Sequence, residues 1–193
     1  MSLEFVLEKY PTKVTMKNDE TYELRPVRDE DAISLHRFWT AIPEEERMFV
    51  KKRLTDREPF EKWFFERDDE VTPILVLEQA GKIRAFGRLR QRLGGWKRHI
   101  GEVNVLVHPE TRGVGMSSRI IEDLVEIARY CGLTKLEAEF NGERRIAIRS
   151  FAAMGFRELT RLPEYIQDFN AAYHDYVLMG VDIVTDEEFA SAY

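Results

Sequence analysis

The stretch VNVLVHPETRGVG, residues 103–115, sets the interpretation of the fold because it joins a strand to a glycine-bearing turn. Val103, Val105 and Val107 alternate with other side chains, which predicts that they share one face of an extended strand. Pro109 ends the pairing, because proline has no N–H to donate to a neighbouring strand. The stretch therefore predicts a strand followed by a turn.

A long amphipathic helix is predicted after this turn. Its apolar side chains recur at helical spacing: Met116, Ile120, Ile121, Leu124, Ile127 and Ala128. We place the end of this helix near Cys131, because Gly132 follows it and glycine is common just after a helix end. Strand, turn and helix thus form one continuous unit.

The start of such a helix is a potential anion site. Its first N–H groups are unpaired and carry partial positive charge, while Gly113 and Gly115 let a ligand approach the backbone closely. The pattern is not a Walker loop, and Ser118 stands where a dinucleotide fingerprint has its last glycine. Two glycines alone are weak evidence, because many turns carry them for steric reasons only.

The rest of the chain reads as strands with helices before and between them, which predicts an α/β or α+β domain with a mixed sheet. We assign residues 1–193 to a single domain, with a short N-terminal hairpin and a weakly structured tail after about Val184. Near the C-terminal end, a short helix is predicted over residues 144–154, and strands over residues 156–162 and 173–181.

Composition excludes several classes of protein. Hydrophobic residues make up 44% and charged residues 33% of the 193 residues, as expected of a soluble globular chain, and we predict neither a membrane span nor a signal peptide. The net charge of −6 argues against a general nucleic-acid binder. The single cysteine, Cys131, suits a reducing compartment, which predicts a cytoplasmic protein. The scattered histidines give no metal-site spacing, so no metal is expected.

Four segments resemble the GNAT N-acetyltransferase superfamily. Residues 107–117 are similar to its acetyl-CoA loop, approximately V-x-P-x-x-R/Q-G-x-G-[ILM]-[GA], and residues 147–156 resemble its helix ending in x-G-F. Residues 22–31 resemble its opening strand. Residues 43–49 are similar to a region of the bacterial Pat-like protein lysine acetyltransferases, the branch closest in pattern.

The resemblance implies a single GNAT-like domain, a central mixed and mostly antiparallel sheet flanked by helices. It also implies acetyl-CoA as co-substrate, with its pantetheine arm paired to backbone groups near Val105, Leu106 and Val107. The pyrophosphate would be held by the amides of the following turn: Arg112, Gly113, Val114, Gly115, Met116 and Ser117. Asn141 matches an asparagine that touches pantetheine, although extra residues before Ala147 weaken this match, and a helix N-cap is the alternative.

The resemblance implies direct attack of an amine on the thioester, which requires a general base. Glu102 matches the glutamate of the Pat-like branch, and a solvent-facing or salt-bridged strand carboxylate is the alternative. The family's proton-donating tyrosine falls at Phe151, which cannot donate a proton. Another group or water replaces it, or the chain is a non-catalytic acyl-CoA sensor.

The sequence does not identify the amine that accepts the acetyl group. It is either a protein lysine or a small-molecule amine, and a homodimer is one alternative for the oligomeric state.

Overall fold

The computed structural model describes residues 6–47 and 54–184. Within them, 8 strands form one sheet in the order β1-β2-β3-β4-β5-β6-β8-β7. The strands are β1 Thr12–Thr15, β2 Thr21–Pro26, β3 Ile74–Gln79, β4 Lys82–Arg90, β5 Ile100–Val107, β6 Lys135–Asn141, β7 Arg157–Gln167 and β8 Tyr173–Asp182. Only β5 and β6 pair in parallel, and every other neighbouring pair is antiparallel.

Helices lie on both faces of the sheet. They are α1 Ala32–Ala41, α2 Glu44–Arg47, α3 Arg57–Phe65, α4 Met116–Tyr130 and α5 Arg145–Ala153. Short 3-10 turns at Asp29–Asp31 and Pro109–Thr111 precede α1 and α4. The predicted class, a mixed and mostly antiparallel sheet flanked by helices, is confirmed.

Each face of the sheet has its own hydrophobic core. On the α4 face, α4 and α5 pack on the strands through buried side chains that include Ile120, Leu124 and Phe151. On the α1 face, α1 and α3 pack through aromatic rings that include Phe38 and Phe86. The predicted alternation of the quoted strand holds, since its valines meet the α4 face.

The strands β5 and β6 separate shortly after they meet. They pair only from Ile100 with Lys135 to Glu102 with Glu137, and beyond this point the two strands are no longer hydrogen-bonded to each other. A Cβ atom on Gly101 would lie 2.7–2.9 Å from side-chain carbons of Leu89, Leu133 and Leu136, so a larger residue at this vertex would have to displace leucine side chains. The result is a wedge-shaped cleft between β5 and β6.

Some element bounds differ from the expectation. The strand β7 continues to Gln167 rather than ending near Leu162, because register shifts let it keep pairing with β8 to the hairpin turn. The predicted weak tail after Val184 lies outside the described residues, as do Met48 and Phe49 of the Pat-like segment. None of the helices in the described part of the chain is long and apolar enough to cross a membrane.

Phe151 is a core residue of the α4 face. It is 3% exposed, and its ring lies 5.0 Å from the rings of both Phe140 and Phe156, in an edge-to-face arrangement with each. Such pairs stabilise a core beyond the area they bury. The position is therefore filled by apolar packing that links α5 to β6 and to the chain just before β7.

We expect Phe151→Leu to lower the free energy of unfolding by roughly 1–3 kcal/mol, because it removes two aromatic contacts and leaves a cavity. Urea denaturation measures the change. Ile146→Leu is the matched control, since Ile146 lies on the same helix and is 75% exposed; it should stay within about 0.5 kcal/mol of wild type. A Phe151→Leu protein as stable as the control would contradict this packing role.

Candidate functional site

The open edge of β5 forms one wall of the cleft. The N–H of His108 donates to the carbonyl of Arg84 at 2.8 Å, and bonding pairs alternate along an antiparallel ladder. Because of this alternation, the N–H and C=O groups of Leu106 bond to β4, whereas those of Val105 and Val107 point toward the cleft. Of the three predicted residues, two therefore present backbone groups there, whereas Leu106 presents its side chain to the α1 face.

The predicted turn lies at the mouth of the cleft. Gly113 and Gly115 have φ values of +84° and +97°, a conformation that other residues rarely adopt. Gly115 is the N-cap of α4, Met116 is buried as its first residue, and Ser117 follows half-buried. The first N–H groups of α4 have no intrahelical acceptor and carry the positive end of the helix dipole. This geometry can hold a diphosphate.

Lys17 also lies at this turn, and the sequence did not single it out. Its N–H donates to the carbonyl of Val114 at 3.1 Å, and its side chain passes Gly115, with Cε 3.7 Å from where a Cβ of Gly115 would be. The hairpin between β1 and β2 thus places a cation beside the start of α4. No local pattern signals this contact, because it depends on how the hairpin packs on the turn.

The side chain of Arg112 points across the cleft rather than into the turn. Its Nε donates to the carbonyl of Val107 at 3.3 Å, and its guanidinium forms a two-pronged pair with the carboxylate of Glu46. Arg144, at the start of α5, pairs with the same carboxylate. The predicted backbone contact of Arg112 is therefore separate from the role of its side chain.

Asn141 ends β6 on the opposite wall of the cleft. It is 6% exposed, and its Oδ1 accepts the N–H of Glu143 at 2.7 Å. Arg144, not Asn141, is the N-cap of α5, so the N-cap alternative is wrong. The side chain instead closes a local turn between β6 and α5.

Glu102 lies at the vertex of the cleft and faces the α1 side. Its carboxylate forms an ion pair with Arg90, lies 3.7 Å from Nη2 of Arg88, and its side chain is 17% exposed. Glu137 is its neighbour on β6, where it pairs with Lys97 at 3.1 Å. The carboxylate predicted as the base is thus salt-bridged, half-buried and next to the point where the cleft opens.

Arg88 is the least compensated cation of this cluster. Burial lowers the pKa of its guanidinium, and the charge of Glu102 offsets this only in part. Among the described residues, its buried Nε contacts no hydrogen-bond acceptor. A buried cation without a full set of acceptors favours an anionic partner beside it.

Tyr176 shares the α1 face with these charges. It is paired with Asn141 across β6 and β8, and its ring lies 5.9 Å from that of Tyr165. Burial, the carboxylates of Glu139 and Glu137, and then that of Glu102 raise the pKa of Tyr176 to about 12. Its hydroxyl stays protonated near neutral pH and donates a hydrogen bond to Glu139.

His174 belongs to a separate polar network at the β7–β8 hairpin. It pairs with Asp168 at 3.0 Å and with Glu143 at 3.1 Å, and these hydrogen bonds, that of Asp168 foremost, raise its pKa. Within residues 6–47 and 54–184, no three histidine, cysteine or acidic side chains are arranged to hold a metal ion.

Comparison with known proteins identifies the family. Residues 32–156, more than half of the chain, match the model of the acetyltransferase (GNAT) family. The chain therefore belongs to the GNAT acetyltransferase family.

Individual relatives are distant. The L-amino acid N-acyltransferase MnaT of Escherichia coli (strain K12) is 26% identical over 107 residues, which cover 53% of this chain and 60% of that relative. The solved structure of yncA from Salmonella typhimurium, with acetyl-CoA, is 20% identical, with a TM-score of 0.72 over 86% of this chain and 95% of that one. The GNAT domain of S. lividans PAT is 19% identical, with a TM-score of 0.71 over 89% and 96% of the two chains. Both structures show the fold.

We expect acetyl-CoA to raise the melting temperature of the protein. At a concentration of about 100 times Kd, its binding should add about 2.7 kcal/mol to the free energy of unfolding. Gly113→Asp and Gly115→Asp should each abolish the effect, because they add bulk and negative charge at the anion site. Thermal melts with and without acetyl-CoA make the measurement.

Gly95→Asp is the matched control for backbone strain. Gly95 has φ +81° with open space around it, and it precedes β5, whereas the turn follows that strand. Its variant should lose intrinsic stability yet keep the full shift with acetyl-CoA. A wild-type melt that acetyl-CoA leaves unmoved would refute the anion site.

Proposed function

We propose that the protein is an N-acetyltransferase that moves the acetyl group of acetyl-CoA to a primary amine in a ternary complex. One observation carries the proposal: the cleft between β5 and β6 has an anion-binding turn at its mouth and Glu102 at its vertex. An acyl donor and an amine can meet there from opposite faces of the sheet.

The cleft walls and the turn would hold acetyl-CoA. The pantetheine arm would pair with the open backbone of Val105 and the N–H of Val107 like an added strand, with Asn141 on the opposite wall. The diphosphate is bound by the N–H groups of the turn after Arg112, with Lys17 beside them. This arrangement directs the thioester to the vertex, near Glu102.

Glu102 would act as general base through a water molecule. The acceptor enters as an ammonium ion and must lose a proton before its nitrogen attacks the thioester carbonyl. An N–H on the open edge of β5 stabilises the oxyanion that forms. Collapse of this intermediate breaks the C–S bond and releases the CoA thiolate, and the nitrogen then gives up its second proton, to the thiolate or to water, which leaves the neutral amide. Holding amine and thioester together supplies most of the rate gain.

The acceptor that the α1 face fits best is an α-amino acid. Glu102 and its neighbour Glu137 attract the ammonium group, while Arg88 offers an undercompensated cation for the carboxylate. The relative MnaT is described as an L-amino acid N-acyltransferase, which supports the same class. A protein lysine, the acceptor of the Pat-like branch, lacks this carboxylate and is the second candidate.

A non-catalytic acyl-CoA sensor is the rival function, and the apolar Phe151 is the observation that favours it. A CoA-release assay with mixed amino acids and amines separates the two functions. A sensor binds CoA but releases none above background hydrolysis.

We expect Glu102→Gln to lower kcat by roughly 10²–10⁴, the usual contribution of a positioned base, with acetyl-CoA affinity almost unchanged. The loss should shrink as pH rises, because the free amine then forms without help. Steady-state kinetics over a pH series measure both effects.

Glu122→Gln, an exposed carboxylate on α4, is the control and should behave as wild type. Melting curves separate lost chemistry from lost stability, since Glu102→Gln also leaves Arg90 without its partner. A Glu102→Gln enzyme within about threefold of wild type would return Glu102 to a purely structural role.

We expect Arg88→Gln to raise the KM for α-amino acids roughly 10- to 100-fold, because it removes a charged hydrogen bond to the carboxylate. The KM for the matching amino acid amides should change little. Arg92→Gln, an exposed arginine beyond the end of β4, is the control. Equal effects on acids and amides would instead favour an acceptor without a carboxylate, such as a protein lysine.

A further inference from the structure

Glu46 connects segments that lie on opposite walls of the cleft. Its carboxylate lies 2.7 and 2.9 Å from Nη1 and Nη2 of Arg112 and 2.5 Å from Nη1 of Arg144. Arg112 follows β5, whereas Arg144 follows β6. One side chain from α2 therefore bridges the ends of the two strands that diverge.

The bridge is well formed. The side chain of Glu46 is 12% exposed. Burial alone would raise the pKa of Glu46, but hydrogen bonds from Arg144 and Arg112 outweigh it and hold that pKa below its usual value. The carboxylate is thus ionised at neutral pH, and two-pronged pairing with Arg112 is the strong geometry for such contacts.

One of these two arginines, Arg112, adjoins the turn that would bind the cofactor's diphosphate. Arg112 begins the anion-binding turn, and its Nε contact with Val107 holds its guanidinium over the end of β5. Phosphate and carboxylate oxygens accept the same pair of N–H groups from arginine. A diphosphate at this turn would therefore repel Glu46 and offer Arg112 an alternative partner, and Arg144 would then lose the carboxylate that it shares with Arg112.

We propose that Glu46 is an internal anion that competes with the diphosphate of acetyl-CoA for Arg112 and Arg144, so that cofactor binding releases α2 from the cleft. This inference rests on the proposed function, because it takes acetyl-CoA as the ligand. The helix α2 closely follows α1, which packs on the face that carries Glu102. Its release couples the cofactor site to the acceptor side of the sheet.

Calorimetric titration of the full chain with CoA, in a buffer of low ionic strength without phosphate or sulfate, tests the proposal. We expect Glu46→Gln to bind CoA about three- to tenfold more tightly than wild type, because both arginines become available. Glu46→Asp, whose shorter reach weakens the bridge, should shift the affinity in the same direction by less. Glu44→Gln, an exposed carboxylate on the same helix, is the control and should match wild type.

Arg144→Gln provides a double-mutant cycle. If Glu46 acts by occupying the arginines, the gain from Glu46→Gln should shrink when Arg144 is also replaced. An equal gain with and without Arg144 would show a general charge effect and overturn the proposal.

The outcomes separate this inference from the proposed function. Unchanged or weaker CoA binding by Glu46→Gln, in a protein that still acetylates amines, overturns the proposed competition alone. Glu46 would then serve only to hold the two walls of the cleft together. A wild-type protein that binds no CoA overturns both. Melting curves confirm that each variant is folded.

Discussion

The separation of β5 from β6 is the constraint on which the rest of the site depends. Three paired residues on each strand hold the vertex, and Gly101 lets the side chains around it pack without a gap. Beyond the vertex each strand keeps a partner on its outer side, β4 for β5 and β8 for β6. The backbone of β5 can therefore face the cleft on one side while its pairing with β4 keeps the strand in the sheet.

The two faces of the sheet differ in the side chains that border the cleft: apolar residues on one face and charged residues on the other. On the α4 face the cleft is bordered by a continuous apolar core, and α4 directs its positive end at the mouth of the cleft. On the α1 face, aromatic packing around Phe86 gives way along the strands to Arg88, Arg90 and Glu102. The charged groups thus collect where the strands part.

Local features of the sequence predicted much of this arrangement. Alternation assigned the valines of β5 to one face, and the glycines at 113 and 115 predicted a turn, in which the structure gives both residues positive φ angles. These signals depend on neighbouring residues only. The contacts of Lys17 with the turn and of Glu46 with Arg112 join residues far apart in the chain, and they depend on strand register and on how loops pack.

The same limit applies to Glu102. Its face followed from alternation, but its pairing with Arg90 depends on the register between β4 and β5, which sequence spacing alone does not give. The family resemblance suggested a base, and the structure surrounds that carboxylate with cations. Glu102 therefore belongs to an ion-pair cluster with Arg88 and Arg90, which local spacing along one strand does not signal.

The apolar side chain at position 151 is compatible with catalysis once the leaving group is considered. Phe151 packs on the α4 face between Phe140 and Phe156, whereas Tyr176 is the hydroxyl on the opposite face near the carboxylates. With a pKa of about 12, Tyr176 holds its proton more tightly than an alkyl thiol, whose pKa is about 8.5. It is therefore a poor acid for a thiolate, and its hydroxyl already hydrogen-bonds to Glu139. Since a thiolate of that pKa leaves without prior protonation, the proposed reaction would not require an acid at position 151.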